Sequence, residues 1–253
     1  MVKVPPKHST SKKFMLTTLK QHAQGLTYIL SHPYLLRRII VRELFHSNRY
    51  SNKRNWTAWQ IYDAYTSMPH HGSQESHTRP LNVARINTIS NMVSELGDDL
   101  KILDVGCGDG SVGKSLRKMG HDVISVELPK VAFLAKKGFG VASIVASDAE
   151  TLPFRNEAFD VVVAAELLEH LWNPNVFMKE AYRVLRLSGH LIISGLEGPE
   201  ALRYDTHKQY FDVKILENLL EGFFTLHKVK RLGPLEAPTY TIVVSFRKLA
   251  TKF

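Results

Sequence analysis

The ten residues Ile102-Leu103-Asp104-Val105-Gly106-Cys107-Gly108-Asp109-Gly110-Ser111 concentrate chemistry in one short stretch. An apolar β-rich run closes on an acid, a glycine turn follows, and a helix is expected to begin near Ser111. Glycines let backbone approach a ligand closely, and a helix start presents free N–H groups. Two more acids stand at the ends of β-rich runs: Glu127 closes DVISVE, and Asp148 follows VASIVAS. A carboxylate at the second strand end can accept hydrogen bonds from both ribose hydroxyls. Asp148 is placed to receive an adenine amino group, with Ala149 supplying backbone beside the ring. Each acid alone reads as a solvated strand end, but three at successive strand ends of one sheet read as a binding site.

The same stretch also carries a dinucleotide pattern. Gly108, Gly110 and Gly113 satisfy G-x-G-x-x-G, and Glu127 follows at a fitting distance. Charge separates the two readings. A dinucleotide would press a pyrophosphate dianion against Asp104 and Asp109, whereas the ammonium and sulfonium of S-adenosylmethionine are cations that nearby carboxylates attract. The loop therefore points to S-adenosylmethionine, with a nicotinamide-dependent oxidoreductase as the reading it displaces.

The elements that must position these residues follow from the pattern around them. From residue 100 onward, β-rich runs at 100–105, 122–127, 141–147, 159–165 and 190–195 alternate with helix-length intervals. That alternation predicts βαβ units and a doubly wound, mainly parallel α/β sheet. Two further runs, 224–231 and 239–246, are close enough for a hairpin across Gly233-Pro234. Upstream, a helix is expected over about 80–96, and helices over 14–30 and 34–46. The stretch WTAWQIYDAY reads as a short aromatic helix carrying Trp56, Trp59, Tyr62 and Tyr65. The expected division is a basic helical N-terminal extension over 1–80 and a cofactor-binding domain over 81–253.

Charge supports that division. Residues 1–56 hold eleven basic residues against the single acid Glu43, while the remaining 197 residues balance 22 basic against 23 acidic. The whole net charge of +9 thus belongs to the extension. Such an arm suits an anionic surface, or simply a solvated face. Leu35, Leu36, Ile39, Ile40 and Leu44 interleaved with Arg37, Arg38 and Arg42 make residues 14–46 a candidate contact for an anionic membrane. The most apolar stretch, 14–30, is broken by Lys20, Gln21, His22 and Gln24, so no membrane-crossing helix is expected. One cysteine excludes a disulfide framework and fits a reducing, cytoplasmic setting with a membrane-peripheral role. The acid-poor arm also has the composition of an organellar leader. The twelve histidines show no metal-ligand spacing, and no metal is expected.

Taken together, ILDVGCGDG, VISVE, SDAETLPF, FDVVVAAELLEHLWNP and EAYRVLRLSGHLIIS resemble the class I methyltransferases. The likeness is to the broad group containing the ubiquinone and menaquinone biosynthesis C-methyltransferases, and it covers about residues 84–246. The resemblance implies a Rossmann-like seven-stranded sheet with a reversed last strand, which agrees with the closing hairpin. It implies that Asp104, Gly106 and Gly108, with Cys107 between them, hold the methionine part of S-adenosylmethionine. Glu127 would take the ribose, and Asp148 with Ala149 the adenine. Ala165 and Glu166 would face the reacting methyl group.

The cofactor carries the activated methyl group, so the protein need only align and desolvate the acceptor, with a base where the acceptor must lose a proton. His170, near Glu166 and Glu169, is the candidate base; the plainer reading is a helix-start residue packed beneath the cofactor. Trp56, Trp59 and Tyr62 are candidate substrate contacts on a lid. Tyr204, His207, Tyr210 and Phe211 lie where a pocket could draw on them. The position after the fourth strand reads AAELLEH rather than an Asn/Asp-Pro-Pro-aromatic turn, and the only cysteine sits in the cofactor loop. Both facts disfavour nucleobase chemistry. The expected acceptor is a small or lipid-like molecule; a non-catalytic cofactor binder and an RNA-directed enzyme using the basic arm are the alternatives.

Overall fold

The structure, a computed structural model, describes residues 79–203, 207–233 and 240–250. The chain divides into two units, Met1–Asp63 and Ala64–Phe253, and every described residue belongs to the second. The arm over 14–46, nearly all of the extension assigned to 1–80, and the residues Trp56, Trp59, Tyr62, Tyr65 and Tyr204 lie outside the described residues.

In chain order the elements are α1 (Pro80–Ser94), β1 (Lys101–Val105), α2 (Ser111–Lys118), β2 (Asp122–Glu127), α3 (Pro129–Phe139), β3 (Ile144–Ala146) and β4 (Phe159–Ala165). They continue with α4 (Pro174–Val184), β5 (Leu185–Leu196), α5 (Val213–Leu220), β6 (Phe224–Leu232) and β7 (Thr241–Lys248). Proline opens α1, α3 and α4, where its fixed φ suits the first turn and its missing N–H costs nothing. At α5 the Asp212 carboxylate caps the helix by accepting from the Ile215 N–H at 2.7 Å.

The seven strands run in the order β3-β2-β1-β4-β5-β7-β6. β1 to β5 are mutually parallel, and β7 runs antiparallel to both β5 and β6. This is the doubly wound, Rossmann-like sheet with a reversed last strand. Strand periodicity of two sorts the apolar residues onto its two faces. Ile102, Val161, Val163, Ile192 and Val243 pack with Ile89, Met92 and Val93 of α1 and with Val112 and Leu116 of α2. The intervening Leu103, Val162, Ala164, Leu191 and Val244 meet Phe177, Met178 and Ala181 of α4 and Leu216 and Leu220 of α5. Central strands buried on both faces must read as unbroken apolar runs, which is why FDVVVAA matches β4 residue for residue.

Two boundaries differ from the sequence expectation. β3 spans only Ile144–Ala146, because Val141 leaves the ladder to pack on the cofactor loop: a Cβ on Gly110 would meet Val141 Cγ2 at 2.5 Å. β5 begins at Leu185 rather than at residue 190, through an irregular stretch with Ser188 at φ 63. A side chain on Gly189 would sit 2.9 Å from the Asp160 and Arg186 carbonyls, so this passage depends on glycine.

The chain's winding direction reverses between β1 and β4, and the crevice beyond their carboxyl ends is where this sheet class holds ligands. The sheet's outer edges are β3 and β6. β6 carries a register irregularity between Leu226 and Lys228, and pairs Lys228 with Glu95 and Arg231 with Glu197. Among the described residues, no helix is long and apolar enough to cross a membrane.

Candidate active site

The turn after β1 is built from left-handed backbone. Gly106, Gly108 and Gly110 have φ of 70°, 53° and 77°. The loop is tied to β2, since the Gly106 and Cys107 N–H groups both donate to the Val126 carbonyl. A Cβ on Gly106 would stand 2.8 Å from Leu167 Cδ1, whereas one on Gly108 would meet nothing within 4 Å among the described residues. The loop is thus closed on the Gly106 side by the segment after β4 and open at Gly108.

Glu127 forms the wall of that opening. It is buried at the end of β2, with Oε2 accepting from the Gly108 N–H at 2.9 Å and Oε1 from the Leu128 N–H at 2.8 Å. Burial pushes its carboxyl above the usual range, although both N–H bonds pull the other way. Each oxygen keeps a second lone pair, the requirement for accepting a vicinal diol. Asp148 lies two residues past β3, and its Oδ1 receives the Glu150 N–H at 2.9 Å. The Ser147 N–H donates to the Glu127 carbonyl, which fixes the two acids on adjacent strand exits. Ala149 is buried beside them. The loop, Glu127, Asp148 and Ala149 therefore converge on one crevice. Its hydrogen-bond acceptors and the face at Gly108, open among the described residues, fit a nucleoside cofactor.

Asp104 and Cys107 do something different from lining that opening. Asp104 is 1% exposed and turns toward α2, where its Oδ2 accepts from the Gly113 N–H at 3.1 Å. Burial outweighs that bond and the nearby Arg117 charge, so its carboxyl is pushed up to about 7. The neutral acid is then the favoured folded form. Its support for the fold is complete below the ordinary carboxylate range and is lost as pH rises through about 7, on the order of 4 kcal/mol at full ionisation. The cofactor-free protein should therefore melt at a lower temperature at about pH 8 than at about pH 5. Asp104→Asn, which keeps an acceptor for Gly113, should flatten that slope; an unchanged slope would remove Asp104 as its source. Cys107 is buried, and burial raises its thiol, so it serves as packing rather than as a nucleophile.

The second half of the crevice follows β4. Ala165 ends the strand, and Glu166 continues at φ 51 with its N–H on the Ser194 carbonyl. Arg85 of α1 approaches Glu166 Oε1 at 2.9 Å, an ion pair whose angles fall short of a hydrogen bond. His170 closes a single 3-10 turn, Leu168–His170, and α4 starts only at Pro174. His170 is thus not a helix-start residue: proline at 174 sets the helix start downstream. Glu169 is buried with Oε1 unsatisfied, and burial together with the Glu166 charge holds its carboxyl well above the usual range. The His170 and His207 rings meet edge to face, with centroids 4.8 Å apart. Burial lowers the His207 imidazole, while the Glu166 charge acts against it. Tyr210 is half-buried nearby in the chain, and Phe211 is buried.

Among the described residues, Glu169, His170 and His207 bring three ligand atoms within 4.8 Å of one another. Two imidazoles and a carboxylate form a donor set for a divalent cation. Sequence spacing does not reveal it, because His207 lies 37 positions beyond His170 and joins through the fold. The usable signal was the Glu-His pair directly after a strand end.

A family model described as a methyltransferase domain matches residues 103–193. The ubiquinone biosynthesis O-methyltransferase of Pseudomonas savastanoi pv. phaseolicola is 33% identical over 173 residues, covering 63% of this chain and 72% of the relative. The enzyme of the same name from Parvibaculum lavamentivorans is 31% identical over 105 residues, and the match spans 41% of its length. The N-methyltransferase NodS of Bradyrhizobium japonicum, solved with S-adenosylhomocysteine, covers 75% of this chain and 97% of its own with a TM-score of 0.63. At 17% identity that likeness speaks for the fold alone. By glycine loop, sheet order and relatives alike, the chain belongs to the class I S-adenosylmethionine-dependent methyltransferases.

Proposed function

We propose that the protein methylates an oxygen of a small, lipid-like acceptor bound between the cofactor crevice and the turn after β4. The observation that carries this reading is the cluster of Glu166, Glu169, His170 and His207 behind Leu167, the residue that abuts Gly106. Two relatives are named as ubiquinone biosynthesis O-methyltransferases, which supports an oxygen acceptor over the carbon acceptor that the motifs resemble. When bound, the cofactor supplies a sulfonium-activated methyl group. His170 would act as a ligand rather than as the base, because a cation-bound imidazole has no lone pair left for a proton. Glu166, ion-paired with Arg85, acts on the neighbouring His207 imidazole. Leu167 and Leu168 exclude water from the reacting centre. Glu169, His170 and His207 would hold a divalent cation, which would polarise the acceptor oxygen.

Residues 14–46 are read as the contact with an anionic membrane that presents a poorly soluble acceptor, from a cytoplasmic position. Tyr210 is read as an acceptor contact.

The test supplies methyl-labelled S-adenosylmethionine to the full-length protein with phenolic and catecholic acceptors or with RNA, with Mn2+ or with a chelator. Label in a small-molecule ether, lost with the chelator, is expected. Label only in RNA, or in neither, would overturn the proposal. Flotation with anionic vesicles tests the arm: loss of binding on deletion of residues 1–46 is expected, and unchanged binding rejects the membrane role.

A further inference from the structure

The turn that carries Glu169 and His170 makes little structure of its own. As a single 3-10 turn it closes only His170 N–H to the Leu167 carbonyl and Leu171 N–H to the Leu168 carbonyl. Isolated turns of this kind have poor hydrogen-bond geometry and hold their side chains weakly. Here the hold comes from outside. Gln209 Nε2 donates to the Leu168 carbonyl at 2.8 Å and to the Leu171 carbonyl at 3.0 Å. The Lys208 N–H donates to the Glu169 carbonyl at 2.9 Å, and Lys208 Nζ donates to the His170 carbonyl. Two adjacent residues thus occupy four consecutive carbonyls, Leu168 through Leu171.

Both ends of the fastening are themselves fixed. Lys208 Nζ lies 4.4 Å from the centre of the Trp172 ring, a cation–π contact just past the turn. Phe211, two residues after Gln209, is buried and bridges Glu197 at the end of β5, while the Gly198 N–H donates to its carbonyl. The preceding residue, His207, is the one whose ring meets His170. The segment therefore delivers His207 and sets the backbone beneath Glu169 and His170 at once.

We infer that Lys208 and Gln209 form a positioning clip that fixes the directions of the Glu169 and His170 side chains for acceptor chemistry. Neither residue needs to touch the acceptor; each acts through backbone carbonyls, as outer partners of ligand and base residues do. The inference rests on the acceptor site proposed above.

Gln209→Met keeps the side-chain length and removes both amide donors, and Lys208→Met removes the ammonium. Each should lower kcat and Mn2+ affinity about 10- to 100-fold. The acceptor KM, the S-adenosylhomocysteine affinity and the melting temperature should stay near wild type. Lys208→Arg, which retains donors and a cation over Trp172, should restore most of the rate. Parallel losses in kcat, S-adenosylhomocysteine affinity and melting temperature would reduce the clip to general structure and overturn the inference, as would wild-type kcat and Mn2+ affinity in Gln209→Met. Amide hydrogen exchange separates this from the proposed function. If wild-type protein neither binds Mn2+ nor methylates any acceptor, that function fails. The clip then stands only if Gln209→Met speeds exchange at His170 and Leu171 while leaving β4 and β5 unchanged.

Discussion

Gly106→Val is expected to leave a folded protein that no longer binds S-adenosylmethionine. Gly106 has φ 70, a region that a β-branched side chain adopts only at a cost on the order of 1–3 kcal/mol. The new Cβ would lie 2.8 Å from Leu167 Cδ1, closer than real Cβ contacts come. The backbone cannot slide away freely, because the Gly106 and Cys107 N–H groups are both committed to the Val126 carbonyl. The strain must then move either the loop or Leu167, and both border the crevice. Leu167 belongs to one buried face, but its δ-methyl can turn aside and the other face is untouched, so the melting transition should survive at a lowered temperature. Titration calorimetry with S-adenosylhomocysteine alongside a thermal melt reads both quantities. Retained micromolar affinity would mean that the loop absorbs the side chain and that Gly106 does not shape the site.

His170→Ala, which removes a proposed ligand of the activating cation, should slow turnover by about 100-fold or more. Cofactor affinity should change little, because most groups assigned to the cofactor sit on the exits of β1, β2 and β3, and Ala165 at the end of β4 precedes the turn that carries His170. Steady-state kinetics across pH with a competent acceptor makes the measurement, and the acidic limb of the wild-type rate profile should disappear in the variant. Wild-type kcat across the range would return His170 to a packing role against His207.

What the sequence makes legible here depends on how local the cause is. β4 is readable because a strand covered on both faces tolerates only an apolar run, and no nearby residue competes for FDVVVAA. β3 is less so: Val141 belongs to the same apolar run but is claimed by Gly110, a contact 31 positions away. Asp104 reads as a ligand because of where it stands in the glycine motif, yet strand alternation turns its carboxylate under α2. The convergence of His170 with His207 is invisible for the same reason, since it depends on where the chain goes after β5. The left-handed backbone at Glu166 leaves no trace in composition either, as glutamate seldom signals positive φ.

The two rims of the sheet bear on how copies of this chain can meet. An uncovered strand with free N–H and C=O groups is a template onto which another chain can add. One rim offers only the three residues of β3, too little ladder to hold a guest. The other offers β6, which loses register with β7 between Leu226 and Lys228 and whose Lys228 and Arg231 are already paired with Glu95 and Glu197. A second β6 laid alongside would meet a ladder interrupted at that irregularity. Among the described residues, a short strand at one rim and an irregular one at the other thus guard the sheet against strand addition.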